Sequence, residues 1–202
     1  MKNTLLAAAL LFYTSAFAQY KDFNTVKEIQ VKNKGVVVSA HPLASEAGAK
    51  ILKMGGNAYD AAVATQCALA VVYPQAGNIG GGGFLVGVKT NGEKFTLDYR
   101  ETAPAKATGN MYLDKKGRAN TNLSQYGHLA SGVPGSVAGF FATLKHCTLT
   151  MSQLIQPAID LAEQGFAITD QEANLLNSKR EDFTKYNKTN TAFVKNDPWK
   201  SG

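Results

Sequence analysis

Four consecutive glycines, Gly80 to Gly83, constrain this chain more than any other feature of its sequence. They follow an alanine-rich segment that predicts a helix at residues 58–72, and they precede an apolar segment that predicts a strand at residues 85–88. Glycine-rich phosphate loops open a helix, whereas this loop opens a strand, so its placement disfavours phosphate binding. We expect the glycines to permit a close approach between backbone segments, or a loop with several unusual φ values.

Periodicity and capping signals predict several helices and a β-hairpin. Asn91-Gly92 is a two-residue hairpin signal between the strand at 85–88 and a return strand at 94–99. A short buried strand is also predicted at 35–39, where three valines follow each other. Helices are predicted at 45–54, 58–72, 135–145, 151–164 and 169–186; Gly55-Gly56-Asn57 ends the first, Thr150 and Thr169 are N-caps, and Pro157 is expected to kink its helix or to move the start of that helix.

The first eighteen residues have the pattern of a cleaved export signal. Lys2 gives the positive start, residues 5–13 form the apolar core, and Ala16 and Ala18 give a small-residue cleavage site. This core is too short for a membrane helix, which needs roughly 20 residues. We therefore expect residues 1–18 to be removed, the mature chain to start near Gln19, the protein to be periplasmic or secreted, and no later segment to span a membrane.

The composition is that of a globular protein, with 45% hydrophobic and 18% charged residues. The net charge of +6 is modest and the basic residues are scattered, which disfavours nucleic-acid binding. No Cys/His cluster has the spacing of metal ligands, so no metal and no cofactor is predicted. Cys67 lies in an apolar run typical of a buried thiol, and a disulfide between Cys67 and Cys147 stays open.

A polar segment, residues 98–104, follows the predicted return strand. Its arginine, Arg100, has a guanidinium that binds carboxylates through two parallel hydrogen bonds and stays charged at any working pH. From spacing alone, a structural pairing of Arg100 with Asp98 or Glu101 is the simpler interpretation.

Hydroxyl and imidazole side chains that a hydrolase could use are present without a catalytic spacing. A Gly-x-Ser-x-Gly nucleophile motif is absent, and triads are identified by geometry and not by sequence distance. The candidates are Ser39, Ser45, Thr102, Ser131, Ser136, His41, His128 and His146.

Six segments of the chain resemble, in order and in spacing, the gamma-glutamyltranspeptidase family of N-terminal-nucleophile hydrolases. Each motif is weak alone, but the ordered set is specific. The resemblance implies an α+β chain that forms the N-terminal portion of an αββα sandwich, with residues 19–202 as the N-terminal part of a large subunit. It covers roughly the first third of a full-length precursor. The matching segments are residues 41–45, 55–64, 77–84, 98–104, 130–135 and 156–166.

The resemblance implies a gamma-glutamyltransferase and glutathione hydrolase, which cleaves the γ-glutamyl amide of glutathione and transfers the acyl group to water or amino acids. In this family the precursor cleaves itself, and the new N-terminal threonine of the small subunit is the nucleophile, with its own amine as base. The family's substrate-binding arginine corresponds to Arg100, which would hold the α-carboxylate of the γ-glutamyl group. No catalytic residue is implied within the chain, because the nucleophilic threonine is expected beyond residue 202.

Two further expectations follow from the resemblance. The small subunit of the same precursor is expected to be a partner, and the 202-residue chain alone is expected to be inactive. The alternatives are a related N-terminal-nucleophile acylase (a cephalosporin acylase or a capsule polyglutamate transferase) and a non-catalytic exported module that binds carboxylates.

Overall fold

The computed structural model describes residues 35–77, 79–189 and 191–202. The predicted export signal, residues 1–18, and the predicted mature start at Gln19 lie outside these residues. Helices dominate the described part, and one antiparallel hairpin accompanies them. The helices are α1 (Pro42–Lys53), α2 (Ala58–Val72), α3 (Thr121–Gln125), α4 (Ser136–Thr143), α5 (Met151–Gln164), α6 (Asp170–Ser178) and α7 (Arg180–Tyr186), and the strands are β1 (Phe84–Val88) and β2 (Lys94–Asp98).

Helix α1 starts at Pro42, earlier than the predicted start at residue 45. Proline suits the first helical position, where its missing N–H would have had no partner within the helix. His41 caps the helix, because its Nδ1 accepts a hydrogen bond from the backbone N–H of Leu43 at 3.2 Å. The helix ends before Gly55, whose φ of 94° confirms the predicted glycine stop.

The predicted buried strand at residues 35–39 is wrong. These residues form no strand, and Val36 and Val38 are 66% and 86% exposed. A strand needs a neighbour for its hydrogen bonds, and no partner pairs with this segment among the described residues. Val37 instead lies beside Gly48 of α1, where a Cβ on the glycine would come within 2.9 Å of its Cγ1.

Helices α1 and α2 pack closely, as their small residues predict. A Cβ added to Gly48 would lie 3.2 Å from the backbone oxygen of Ala61 and would overlap the side chain of Thr65. Helix α2 has the predicted bounds, and α5 packs across both helices. The buried core formed by these helices with α4 consists of Ala44, Ala47, Ile51, Val63, Ala64, Cys67, Ala68, Val72, Phe140, Leu154 and Ala158.

The hairpin is confirmed at the predicted place. Phe84 of β1 lies opposite Asp98 of β2, and the turn between the strands contains Gly92 at a φ of 84°. Phe84, Val86 and Val88 are 62%, 78% and 60% exposed, so one face of the hairpin presents apolar side chains to solvent. We call Phe84, Val86 and Val88 the open hairpin face.

The remaining helices follow the prediction with two changes. Helix α5 starts at Met151 as predicted, with Thr150 as the expected N-cap, and runs through the buried Pro157. The start of α5 is therefore not moved by the proline. The helix predicted at 169–186 is divided at Lys179 into α6 and α7, and the predicted cap Thr169 begins α6. The helix predicted at 135–145 is α4, which continues as a short 3-10 turn, Leu144–His146.

Candidate functional site

Arg100 lies two residues after the end of β2, in a segment that continues from the strand. The carboxylate of Asp98 accepts a hydrogen bond from the backbone N–H of Arg100 at 3.0 Å, which fixes the chain direction after the strand. The Arg100 side chain is 54% exposed. The predicted site residue is therefore in a position that a ligand can reach.

The guanidinium of Arg100 pairs with the neighbouring Glu101. Its Nε donates to Oε2 at 3.2 Å and one terminal nitrogen donates to Oε1 at 2.7 Å. The hydrogen bond from Arg100 is the main cause that lowers the pKa of Glu101 from its ordinary value. The ring of Phe84 lies 5.6 Å from the guanidinium carbon. The pairing that spacing suggested is thus present.

This pairing leaves part of the guanidinium available. An arginine has five N–H donors in a planar fork, and Glu101 takes one edge of that fork. Within the part of the chain that the structure describes, no second acceptor is bonded to the side chain of Arg100. The remaining donors can bind another carboxylate, with the geometry that makes arginine suited to such anions.

Tyr99 anchors the segment that carries Arg100. It is 9% exposed, and its hydroxyl accepts a hydrogen bond from Nε2 of Gln66 on α2 at 2.9 Å. Its backbone N–H donates to the carbonyl of Gly83 at 3.0 Å, and its carbonyl accepts from the N–H of Gly83 at 3.3 Å. These contacts extend the hairpin pairing by one residue beyond β2.

The glycine-rich loop packs its backbone against this segment. A Cβ at Gly82 would lie 2.5 Å from the carbonyl oxygen of Tyr99, and one at Gly135 would overlap the same oxygen. The carbonyl of Gly81 accepts from the N–H groups of Gly135 and Ser136 at 2.9 and 3.1 Å. Close backbone approach is therefore the reason for glycine at positions 82 and 135, neither of which has a positive φ.

A backbone bridge holds the C-terminal end of the segment that carries Arg100. Thr102 and Val133 form an antiparallel bridge, in which each backbone N–H donates to the other residue's carbonyl, at 3.1 and 2.8 Å. The segments at 81–83, 99–102 and 132–136 thus form one hydrogen-bonded unit, which we call the Arg100 cradle. These three segments lie apart in the sequence and meet around Arg100.

The serines near His41 do not form a catalytic pair with it. The hydroxyl of Ser39 lies 2.8 Å from that of Ser45 and donates to the backbone oxygen of His41. The two ring nitrogens of His41 face the N–H of Leu43 and, at 3.2 Å, the carboxylate of Glu172. Neither nitrogen is placed to take a proton from a serine.

The other candidate hydroxyl and imidazole groups do not pair with each other either. His146 lies against the ring of Phe95 with 4.2 Å between centroids, and burial and the nearby Lys145 lower its pKa. In residues 35–77, 79–189 and 191–202 no serine or threonine hydroxyl is hydrogen-bonded to an imidazole. This applies to Thr102, Ser131, Ser136 and His128 as well.

Both cysteines are free thiols in the structure. Cys67 is buried in the core and Cys147 is half-buried, and burial raises the pKa of each thiol to about 11. The disulfide left open by the sequence is not formed. A thiol with so high a pKa carries little thiolate near neutral pH and is a poor nucleophile.

The carboxylate of Asp60 has a structural role. Asp60 lies in the first turn of α2, near the positive end of the helix dipole. The structure buries it completely, and its carboxylate accepts hydrogen bonds from the backbone of Asn57, Thr148 and Leu149 and from the Thr148 hydroxyl. The pattern Asn57-x-x-Asp60 predicts a capping box. The contacts of Asp60 with Thr148 and Leu149 cannot be predicted from neighbouring residues, because these partners are distant in the sequence.

Two kinds of feature are absent from residues 35–77, 79–189 and 191–202. No group of three or more His, Cys, Asp or Glu side chains is arranged there to hold a metal ion. None of the helices in the described ranges has the length and apolar character needed to cross a membrane.

Comparison with known proteins gives consistent matches. The family model described as Gamma-glutamyltranspeptidase matches residues 44–202. The glutathione hydrolase proenzyme of Pseudomonas sp. (strain A14) is 46% identical over 186 residues, which are 92% of this chain and 32% of that protein. The crystal structure of Helicobacter pylori gamma-glutamyltranspeptidase is 50% identical, with a TM-score of 0.78 over 86% of this chain and 52% of that chain.

Acylases are also among the relatives. The acylase ACY 1 proenzyme of Pseudomonas sp. (strain V22) is 38% identical over 81% of this chain and 31% of that protein. The chain thus spans about a third of the length of the curated relatives it matches. The structural likeness confirms the predicted fold class, an α+β portion of the N-terminal-nucleophile hydrolase fold.

Proposed function

The chain belongs to the gamma-glutamyltranspeptidase family, and on that basis we propose that it is the N-terminal part of a large subunit in an enzyme that cleaves the γ-glutamyl amide of glutathione. The γ-glutamyl group passes to water or to an amino acid. Residues 19–202 supply the donor side of the site, and Arg100 binds the α-carboxylate of the γ-glutamyl group. The observation that carries this proposal is the exposed, partly unoccupied guanidinium in the Arg100 cradle.

The chemistry assigned to Arg100 is binding and orientation. A carboxylate on the free edge of the guanidinium gains charge-assisted hydrogen bonds, worth about 1.5–3 kcal/mol. Glu101 holds the opposite edge, so the fork cannot rotate away without breaking two hydrogen bonds. With the α-carboxylate anchored in this way, the γ-amide carbon can lie only within a limited distance of the arginine, because three carbon atoms separate the two groups.

The nucleophile in this proposal is the N-terminal threonine of a small subunit from the same precursor. Its amine takes the hydroxyl proton while the oxygen attacks the γ-carbonyl carbon, and the amide nitrogen leaves with that proton. The resulting ester is then attacked by water or by an acceptor amine, which releases the threonine. The candidate hydroxyls of the described residues lack a base, which agrees with a nucleophile supplied by another segment.

The open hairpin face supports a partner subunit. Three large apolar side chains of β1 point to solvent, and β1 and β2 form a sheet of only two strands in the described residues. Such a hairpin is marginal alone, and further strands or a covering layer stabilise it. The relatives are proenzymes about three times as long as this chain, and we propose that the small subunit covers this face.

Export is part of the proposal. The pattern of residues 1–18 supports removal of a signal peptide and a periplasmic or secreted location. Intact-mass analysis of the protein from the cell exterior or periplasm should give a chain that starts at Gln19. A mass that includes Met1 would contradict the export signal.

The role of Arg100 is tested by substitution in the processed enzyme. Arg100→Ala should raise KM for glutathione by roughly tenfold to a hundredfold, the factor that corresponds to the loss of one charge-assisted pair. Arg118→Ala is a matched control, because Arg118 is also exposed and bonded to a nearby carboxylate, that of Asp114. Unchanged KM and kcat/KM in Arg100→Ala would show that the assignment is wrong.

An acylase is the second candidate, favoured by the acylase relative at 38% identity. An acylase for dicarboxylic acyl groups would not require the α-amine of the donor. The kcat/KM values for γ-glutamyl and glutaryl anilides decide between the two: a transpeptidase prefers the first donor. A binding module without catalysis would show glutamate binding by calorimetry and no turnover of either anilide.

A further inference from the structure

The backbone at residues 99–100 couples a buried side chain to an exposed one. Neighbouring residues of an extended segment point to opposite faces, and here Tyr99 is 9% exposed whereas the Arg100 side chain is 54% exposed. The two hydrogen bonds between Tyr99 and Gly83 keep this segment extended. A collision that displaces the Tyr99 ring together with its backbone would therefore also move Arg100.

The ring of Tyr99 lies in a slot between two glycines from different elements. A Cβ at Gly83 would come within 2.9 Å of ring carbon Cε2 and 3.0 Å of Cζ. A Cβ at Gly139 would overlap the inner part of the ring and lie 2.9 Å from Cδ1. Neither glycine has a positive φ, so backbone conformation does not require them. The space they leave is filled by the tyrosine ring.

Glycine at position 139 lowers the stability of helix α4, and the slot for the Tyr99 ring explains its presence. It lies inside α4 and is buried, and a glycine in a helix interior is less stable than alanine by roughly 0.5–1 kcal/mol. Alanine at this position would favour the helix but would collide with Tyr99. Glycine at position 139 therefore leaves room for the Tyr99 ring, although it makes the helix less stable.

The hydroxyl of Tyr99 contributes less than its ring. Its hydrogen bond from Gln66 is a neutral one, and such bonds contribute about 1 kcal/mol net. The ring, by contrast, is bounded by Gly83 on one side and Gly139 on the other. The steric slot is the stronger restraint on where the ring lies.

We propose that Tyr99 is a positioning residue for Arg100, with the slot formed by Gly83 and Gly139 setting where the guanidinium meets the substrate α-carboxylate. This inference rests on the proposed function, because it assumes that Arg100 binds that carboxylate. In this proposal Tyr99 acts through Arg100 and not through a contact of its own with the substrate. Its effect is on donor recognition through Arg100.

The experiment uses the processed enzyme and two donors that differ only at the α-carboxylate. One is γ-glutamyl-p-nitroanilide, and the other is its α-carboxamide. The ratio of their kcat/KM values measures how well the α-carboxylate is recognised, and general loss of folded protein does not change it. The variants are Gly139→Ala, Gly83→Ala, Tyr99→Leu, Tyr99→Phe and Arg100→Ala, with Gly109→Ala as the control, because a Cβ at Gly109 would meet no atom within 4 Å.

The expected series follows the severity of the collision. Gly139→Ala and Tyr99→Leu should reduce the ratio by about tenfold, which corresponds to most of one charge-assisted bond. Gly83→Ala should reduce it less, because the ring has to move by only a few tenths of an ångström. Tyr99→Phe keeps the ring and should recover the wild-type ratio to within about twofold, since one neutral hydrogen bond is lost. Gly109→Ala should match wild type.

Each outcome has one interpretation. If Arg100→Ala leaves the ratio unchanged, the proposed function of Arg100 fails. If Arg100→Ala removes the preference but Gly139→Ala and Gly83→Ala retain it, Arg100 keeps its role and the positioning inference alone is overturned. If Gly139→Ala yields no folded enzyme, Gly83→Ala and Tyr99→Leu decide the question, and a wild-type ratio in both rejects the inference.

Discussion

At the scale of single residues, the buried carboxylate of Asp60 joins two distant parts of the chain. It caps the start of α2 and accepts hydrogen bonds from Thr148 and Leu149, which precede α5. Burial alone raises the pKa of Asp60, but the hydrogen bonds from the backbone of Asn57, Leu149 and Thr148 outweigh it, so the pKa lies below the ordinary value of 3.8. The ionised form is thus the one that the fold stabilises.

Asp60→Asn should therefore destabilise the chain at neutral pH. The side-chain amide of the variant would turn an NH2 group towards the backbone N–H groups that the carboxylate now accepts from. These donors would then lose their acceptor, and a buried hydrogen-bonding group left without a partner costs about 1–3 kcal/mol. Because the folded pKa is depressed, the stabilisation by Asp60 is present above pH 3.8 and is lost as the pH falls through the folded pKa. The variant should lack this acid-dependent loss. Urea unfolding at pH 7 and across the acid range measures both effects.

A turn carboxylate serves as the control for this prediction. Asp114 also has a lowered pKa, from hydrogen bonds with the backbone of Arg118 and Lys116, but it lies on the surface. Asp114→Asn should change the free energy of unfolding by about 0.5 kcal/mol or less. Equal stability of the Asp60→Asn and Asp114→Asn variants at pH 7 would refute the structural role assigned to Asp60.

At this scale the sequence marked candidate positions but not their contacts. Arg100 was marked by its motif, and in the structure its exposed side chain pairs with Glu101, as spacing suggested. Gln66 gave no signal, because a glutamine within an apolar helix does not indicate which residue it will meet. Its contact with Tyr99 spans 33 positions and depends on how α2 packs against the hairpin.

At the scale of elements, the contact between α1 and α2 depends on a glycine. Gly48→Ala would gain about 0.5–1 kcal/mol of helix propensity. It would also force a methyl group against Thr65, Val37 and the backbone of Ala61, and such overpacking costs about 1–3 kcal/mol. We expect a net loss of stability, seen as a lower melting temperature in circular dichroism. Glu46→Ala, an exposed change on the same helix, should have little effect, and a higher melting temperature for Gly48→Ala would contradict this packing.

Elements with local signals were predicted well, and elements that depend on neighbours were not. The Asn-Gly turn, the capping boxes of Thr150 and Thr169 and the bounds of α2 follow from residues close in sequence. The valines at 36–38 indicate a strand only if a partner strand lies beside them, and the described chain offers none. The break between α6 and α7 at Lys179 could not be predicted either, because no helix-breaking residue stands there.

At the scale of the whole molecule, the hairpin connects the Arg100 cradle to the surface proposed for the small subunit. β2 ends at Asp98, two residues before Arg100, and β1 begins at Phe84, whose ring lies near the guanidinium. A partner that covers Phe84, Val86 and Val88 would thus pack on the same hairpin that presents the arginine. Subunit assembly and donor recognition would then depend on the same two strands.

Val86→Lys in the precursor tests this arrangement. A charged side chain in the centre of the open hairpin face would be buried without a partner in the assembled enzyme, and such burial costs several kcal/mol. The processed fraction on a denaturing gel and the co-purification of the two subunits should both fall. Val38→Lys is the matched control, because Val38 is equally apolar and 86% exposed but lies outside the hairpin. Full processing and normal association of the Val86→Lys variant would show that this face stays open to solvent, and the small subunit would then have to be assigned to another surface of the chain.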